Sequence, residues 1–370
     1  MVTASELGAR IDSVDVSAYQ IPTATERESD GTLVWDSTSV VVVQLSCGRH
    51  SGLGYTYCHP AAGQVIESKL AGVLNDADPM MPQQAWAQMQ VQVRQLGHAG
   101  LAEMAISAVD VALWDLKAKM LGLCLADALP RYHQSVPIYG SGGFCNYSDD
   151  QLREQVSKWS EAGLRRMKIK VGREKVRDPA RLDLVRDVAG PEADLMVDGN
   201  GAYSMQDALL WAARFRERGV TYFEEPLSSQ DLDGLAEVRR RAPSGMAIAA
   251  GEYGWNLPYF QRMLDAHAVH ILQADVTRCG GITNLLRVDG LCKARNLPFS
   301  AHCAPAISAH ACCGMETAVH IEYFFDHYRI ESMLFDGTLS PEGGLLRPDR
   351  SRPGLGLELK HADARRWEVS

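Results

Sequence analysis

Met167-Lys168-Ile169-Lys170 is a short apolar run that ends on a charged residue, and the chain repeats this design. Leu195-Met196-Val197-Asp198, Tyr222-Phe223-Glu224, Ala247-Ile248-Ala249-Ala250-Gly251-Glu252 and Ile271-Leu272-Gln273-Ala274-Asp275 follow in turn. Phe299-Ser300-Ala301-His302 and Glu322 continue the series. The polar members Lys170, Asp198, Glu224, Glu252, Asp275, His302 and Glu322 are 28, 26, 28, 23, 27 and 20 residues apart. Each step has the length of one strand plus its crossover helix. A functional group at the carboxyl end of each successive parallel strand is how a β/α barrel assembles a site. Scattered solvated charges would not keep that register.

Working outward, Val136-Pro137-Ile138-Tyr139 reads as the first strand of this unit. Helical stretches are expected between the strands at 150–162, 179–189, 204–218, 231–241, 257–266 and 281–295, with Gly163, Gly190 and Gly219 as stops. The stretch before it differs. Residues 11–21 alternate, 32–35 lead into a β-rich run at 39–45, and 48–54 reads as a turn. Polar, mobile loops are expected at 22–31 and 47–60. Residues 85–121 then turn helical, with Met104, Ser107, Ala108, Val111, Ala112, Trp114 and Asp115 on one face and Gly122 as the stop. Strands followed by helices indicate an α+β domain over residues 1–130. The barrel occupies 131–336, and a Gly- and Pro-rich tail at 337–370 is expected to pack back on the first domain.

Composition narrows the function. A chain of 370 residues suits one large domain and a smaller one, and 46% hydrophobic with 22% charged residues is the balance of a soluble globular protein. No apolar run approaches a membrane span, and the start lacks the basic and apolar regions of a signal peptide. Nine irregularly spaced cysteines, with no C-x-x-C, read as reduced buried thiols of a cytoplasmic protein. A net charge of −9 disfavours nucleic acid as a partner. It also requires that a site for an anionic substrate be locally positive.

Asp198, Glu224 and Glu252 bring three carboxylates from three consecutive strand ends. Converging anions repel unless a cation lies between them, so a divalent ion is expected. An all-oxygen set favours Mg²⁺, or Mn²⁺, over zinc. One isolated carboxylate would read as a helix cap; three in register do not.

Lys168 and Lys170 alternate along one strand, so both point into the barrel mouth. Two ammoniums this close lower each other's pKa, which suits Lys170 to act as a neutral base. Asp275 and His302 end neighbouring strands and form a His–Asp dyad, the carboxylate fixing the imidazole tautomer. Lys170 and His302 then face each other across the metal site, as two bases on opposite faces of one carbon. Glu322, on the eighth strand, could donate a hydrogen bond if protonated, with Glu331 its rival for that place.

Taken together, Lys-x-Lys, Asp, Glu-Glu-Pro, Gly-Glu, Asp-x-x-x-x-Gly-Gly-Ile and His resemble the enolase superfamily, specifically its mandelate racemase subgroup. The Lys or His base and Mg²⁺ of this superfamily are a known pattern of pKa tuning. The resemblance extends to Ser107-Ala108-Val109-Asp110-Val111-Ala112-Leu113-Trp114-Asp115-Leu116 and to Arg352-Pro353-Gly354-Leu355-Gly356. It implies a modified (β/α)7β TIM-type barrel in the α/β class with an N-terminal α+β capping domain. Two loops, about 20–31 and 47–60, would close over the mouth, with Tyr55, Tyr57 and His59 as specificity candidates beside 141–146. It also implies Mg²⁺ on Asp198, Glu224 and Glu252, acid/base roles for Lys170 and His302, and assembly into a homo-oligomer. The muconate-cycloisomerase-like and dipeptide-epimerase-like branches carry Lys where this chain has Asp275, so those activities are disfavoured. His320-Ile321-Glu322 departs from the commonest family wording.

The expected substrate is a carboxylate with a hydroxyl on the adjacent carbon, a sugar acid. Three carboxylates, two lysines and a dication give a locally positive site; without the dication it is negative. Proton abstraction to an enediolate can lead to dehydration, giving a 2-keto-3-deoxy acid, or to racemisation or epimerisation. Dehydration is the reading favoured by the resemblance. A metal-independent Schiff-base aldolase using Lys170, and a non-catalytic sugar-acid binder, are the readings from other classes.

Overall fold

Eight parallel strands follow one another in chain order and close on themselves. In the computed structural model, which describes residues 9–75 and 77–369, they are Val136–Gly142, Arg166–Lys170, Asp194–Asp198, Val220–Glu224, Ala247–Ala250, Ile271–Ala274, Phe299–Ala301 and Ala318–Phe324. Each pairs with the next, and the eighth pairs in parallel with the first, Ile321 opposite Ile138. They are called barrel strands one to eight below. The helices between them are Asp149–Glu161, Asp178–Ala189, Met205–Arg216, Leu232–Arg241, Leu257–Asp265, Gly281–Ala294 and Pro305–Cys313, and Phe325–Leu334 follows strand eight.

The first six helices lie within two residues of their expected ends. Their caps explain why. Ser148, Ser204, Asp231 and Asn256 each accept a backbone N–H of the first turn through the side chain. Pro305–Cys313 gave no such signal. All nine of its residues are buried, so it has no polar stripe to betray a helical period.

The N-terminal sheet holds Ser13–Pro22, Ser37–Cys47 and His50–Thr56 as antiparallel strands, with Glu368–Val369 on the outer edge. This corrects the expected 48–54 turn and much of the expected 47–60 loop. The turn is confined to Gly48-Arg49, between Cys47 and His50. Gly52 and Gly54 are strand residues pressed against the helix Leu101–Leu121. An added Cβ would lie 2.2 Å from the Ala112 carbonyl oxygen at Gly52, and 2.1 Å from that of Ala108 at Gly54. These glycines allow a close backbone approach rather than a turn. The helical stretch expected over 85–121 is made of two helices, Pro82–Gln92 and Leu101–Leu121. Gly97 and Gly100 interrupt it at φ 90° and 64°.

Of residues 32–35, Val34–Trp35 pairs with Glu28–Ser29 as a separate small ribbon. The tail touches both halves of the fold. Leu345–Leu346 pairs antiparallel with barrel strand one, and the Leu355 amide donates to Asp115 in the long helix at 2.6 Å. All nine cysteines are buried. Among the described residues no helix is long and apolar enough to cross a membrane.

Gly54→Ala is expected to destabilise the protein by about 1–3 kcal/mol, because the strand must retreat from the helix. Gly290→Ala lies in an exposed helical position with nothing within 4 Å of the added Cβ. It should instead be about 0.5–1 kcal/mol more stable. Urea midpoints of the two variants against the parent check both signs.

Candidate active site

Strand register brings the first charges together. Lys170 lies opposite Asp198, and Asp198 opposite Glu224, at the ends of barrel strands two, three and four. Side chains at one level of a closed barrel share its interior, so these three converge. Glu252 joins them from the turn after strand five. Gly251 makes that turn at φ 134°, where a Cβ would lie 2.0 Å from the Gln273 carbonyl oxygen. Ligand oxygens of Asp198, Glu224 and Glu252 lie within 4.8 Å of one another, and all three residues are buried. Burial pushes Glu224 up to about 8, with the Asp198 charge adding to it. Its Oε1 atom has no hydrogen-bond partner. A buried oxygen set of this kind fits a hard divalent cation.

The two lysines occupy different depths. Lys168 is fully buried, donating to Glu224 at 2.5 Å with Glu322 at 2.8 Å and Asp198 at 3.6 Å. It does not line the open cavity. Lys170 does line it, and donates to Asp198 Oδ2 at 2.5 Å. Burial disfavours both ammoniums, but the carboxylates outweigh it, Glu224 and Glu322 at Lys168 and Asp198 at Lys170. Both lysines are therefore held above their ordinary value. The expected mutual lowering, which would have left Lys170 neutral, is overridden among the protein's own charges by direct contact with Asp198.

His302 stands at the other end of the trio. Its Nδ1 faces Asp275 Oδ2 at 2.7 Å, and its Nε2 lies 3.3 Å from Glu252 and 3.5 Å from Glu322. Asp275 is fixed in turn, its Oδ1 accepting the Thr277 amide and hydroxyl, each at 2.7 Å. Burial opposes an imidazolium here, yet the adjoining sulfur, Glu252, Glu322 and the bond to Asp275 raise His302 well above its usual range. Asp275 is held below the usual carboxylate range: burial works against this, and His302 and Arg278 overcome it.

Glu322, not Glu331, is the acid at the mouth. It lines the cavity and accepts a hydrogen bond from Ser141 at 2.6 Å. Burial would protonate it, but Lys168, His302 and Lys170 lower its pKa, so it accepts rather than donates. That corrects the protonated role expected for it. Glu331 lies behind the site, takes the Tyr55 hydroxyl at 2.6 Å, and is pushed up to about 8 by burial.

Other groups at the site carried no signal in the regular spacing. Arg278 reaches back three residues, within the turn after strand six, to Asp275 at 3.4 Å and across to Glu252 at 3.3 Å. Cys303, next to His302, places Sγ 3.3 Å from His302 Nε2 and from Glu322 Oε2. Asn200, two residues beyond Asp198, is held at φ 45° and faces the cavity. Asp198, Glu224, Glu252, Asp275 and Glu322 contribute five negative charges when ionised. Lys168, Lys170, Arg278 and protonated His302 contribute four positive ones. The net is one negative charge, which a dication would invert.

The cavity above these groups holds about 380 Å³. Its roof comes from Asp30, Leu33, Trp35 and 37–39, with Tyr57, Cys58 and His59. Of the specificity candidates, Tyr57 and His59 line it, while Tyr55 and residues 141–146 do not. The roof is tied down from outside. Arg173 donates to the Asp30 and Leu33 carbonyls at 2.8 and 2.9 Å, and the Trp35 indole donates to Asp326 at 3.3 Å.

Residues 21–129 match the family model for the mandelate racemase / muconate lactonizing enzyme N-terminal domain, and 151–364 match the enolase C-terminal domain-like model. The crystal structure of a mandelate racemase/muconate lactonizing enzyme-like protein from Rubrobacter xylanophilus superposes with a TM-score of 0.95 at 56% identity, covering 97% of this chain and all of that one. L-talarate/galactarate dehydratase from Salmonella typhimurium is 30% identical across 99% of this chain and 92% of its own length. Its crystal structure with Mg and L-lyxarohydroxamate gives a TM-score of 0.90 at 28% identity, covering all of this chain and 95% of that one. Also similar is 3,6-anhydro-alpha-L-galactonate cycloisomerase from Streptomyces coelicolor, 30% identical over 94% of this chain and 97% of its own length. With both halves matched and the similarity running end to end, the chain belongs to the mandelate racemase/muconate lactonizing enzyme family of the enolase superfamily.

Proposed function

We propose that the protein dehydrates a sugar acid to a 2-keto-3-deoxy acid with Mg²⁺ as cofactor. The observation that carries this reading is the placement of two proton carriers, Lys170 and His302, against opposite ends of one carboxylate trio. Mg²⁺ held by Asp198, Glu224 and Glu252 would supply positive charge for the substrate carboxylate and the developing enediolate, and would take up the Asp198 charge that otherwise keeps Lys170 protonated. Lys170 accepts the α-proton. His302, charged and oriented by Asp275, gives its Nε2 proton to the departing β-hydroxyl, which leaves as water. The enol that remains ketonises to the product. Returning a proton to the same carbon from the opposite side needs the same two residues, so racemisation or epimerisation is the second reading.

The far wall supports a narrower substrate class, an acid with a single carboxylate. Beyond the reaction centre, the charged side chains lining the cavity are Asp30 and Asp326, the latter paired with Arg329 at 3.3 Å. Burial and the neighbouring Asp326 push Glu28 up to about 9. His327 stays neutral, burial lowering it to about 3, and His59 uses Nδ1 to accept the Ala61 amide. Arg278 is already paired with two carboxylates. A wall of acceptors suits hydroxyl donors, and Asp30 disfavours a second carboxylate beside it.

Two sets of measurements test this. Treatment with EDTA should abolish turnover and Mg²⁺ restore it, and Lys170→Ala and His302→Asn should each lower kcat by about 10²–10⁴. Full activity in EDTA, with borohydride trapping an adduct on Lys170, would instead support the aldolase. In a Mg²⁺-supplemented panel of sugar acids, 2-keto acid should form, with kcat/KM for a monoacid at least about tenfold above that of the matching diacid. Substrate deuterated or epimerised at the α-carbon in D₂O, with no keto acid, would replace the dehydratase reading with the racemase one.

A further inference from the structure

Beside the all-oxygen trio lies a second set of ligand atoms with different chemistry. His302 Nε2, Cys303 Sγ and Glu322 Oε2 form a triangle with edges of 3.3, 3.3 and 3.5 Å. Around a tetrahedral zinc ion with bonds of about 2.0–2.3 Å, neighbouring ligand atoms stand about 3.3–3.6 Å apart. The triangle already has those edges.

The surroundings are those of a metal-ligating set. Asp275 faces Nδ1 of His302, which leaves Nε2 directed at the triangle, where its lone pair is free for a metal once its proton is displaced. Glu322 is steadied through its other oxygen by Ser141 at 2.6 Å and Lys168 at 2.8 Å. Cys303 and Ala304 sit at φ 53° and 42°, a costly backbone for non-glycine residues, and this turn carries the thiol into the cluster. All three ligand residues are buried, yet all three line the cavity that leads to solvent. Ligand identity, spacing, outer support and an entry path are therefore all present.

We propose that His302, Cys303 and Glu322 form an inhibitory site for Zn²⁺, distinct from the Asp198–Glu224–Glu252 set. One N, one S and one O ligand select a borderline-soft ion, which the hard oxygen trio does not. Binding displaces two protons to solvent, that of the Cys303 thiol and that on His302 Nε2, and the zinc bond then occupies the Nε2 lone pair, so His302 can no longer carry a proton. The inhibitory consequence rests on the proton-transfer role proposed for His302; the binding itself does not.

The test uses full-length protein saturated with Mg²⁺ and titrated with Co²⁺, a spectroscopic stand-in for Zn²⁺. A thiolate-to-cobalt charge-transfer band in the near ultraviolet is expected, lost in Cys303→Ser and displaced by Zn²⁺. The Zn²⁺ concentration that half-inhibits turnover should rise at least about tenfold in Cys303→Ser. Cobalt binding without the band, or a band that survives Cys303→Ser, overturns the site. Zinc inhibition that is equal in both proteins and relieved by excess Mg²⁺ also overturns it, because the ion would then be on the oxygen trio. A Cys303-dependent band with no loss of turnover keeps the metal site, overturns its inhibitory consequence, and points to failure of the His302 assignment instead.

Discussion

Five carboxylates cannot share one water-poor barrel mouth unless fixed positive charge lies among them. Taking an ionised carboxylate out of water costs several kcal/mol, and only well-placed partners offset it. That constraint explains the two lysines on strand two. The pleat aims Lys168 and Lys170 the same way, one step apart in depth. Lys168, in contact with Glu224, Glu322 and Asp198, is a counter-ion set beneath the site. Lys170 meets Asp198 and faces the cavity. Arg278 does on the far side what Lys168 does below, bracing Asp275 and Glu252 together.

Holding these charges at fixed separations is the work of the scaffold. The turn that follows Asp275 is clamped by the long helix Leu101–Leu121. Ser107 accepts the Gly280 amide at 2.8 Å, and Asp110 accepts the Thr283 amide at 2.8 Å. Burial pushes Asp110 up to about 7, the cost of placing a carboxyl in that interface. The same helix packs on the sheet through the glycine strand His50–Thr56, whose next residues, Tyr57 to His59, reach the cavity roof. The polar turn carrying Arg278 and the roof over the substrate space are thus referred to one helix.

The barrel was legible because strand ends two to eight carry polar residues and four of the helices carry a side-chain cap, so spacing and chemistry agree. Lys170, Asp198, Glu224, Glu252, Asp275, His302 and Glu322 all meet at the mouth for that reason. What was misread depends on contacts distant in sequence. Gly52 and Gly54 have the composition of a turn, and only the neighbouring helix shows why they are glycine. The mutual repulsion of Lys168 and Lys170 is visible along one strand, whereas the carboxylates that overcome it come from three others. Cys303 and Arg278 matter by position in space, and no periodicity marks them.

The distribution of charge also gives the cavity a direction. At the barrel end, fixed cations together with a dication held by the oxygen trio, as proposed, would make a net positive floor, which favours a carboxylate. At the roof end, Asp30 and Asp326 make an acceptor-rich ceiling that favours hydroxyl donors. In a small cavity of low dielectric these opposite ends act on one short molecule, and their effects reinforce each other. A sugar acid with one carboxylate, the substrate class proposed above, would gain at both ends in only one orientation. That orientation would set the α-carbon between Lys170 and His302 and leave its hydroxylated tail under the roof. A diacid would set its second carboxylate near Asp30 whichever way it entered. Orientation of the substrate can thus be achieved by charge alone, before any contact specific to a particular sugar is made.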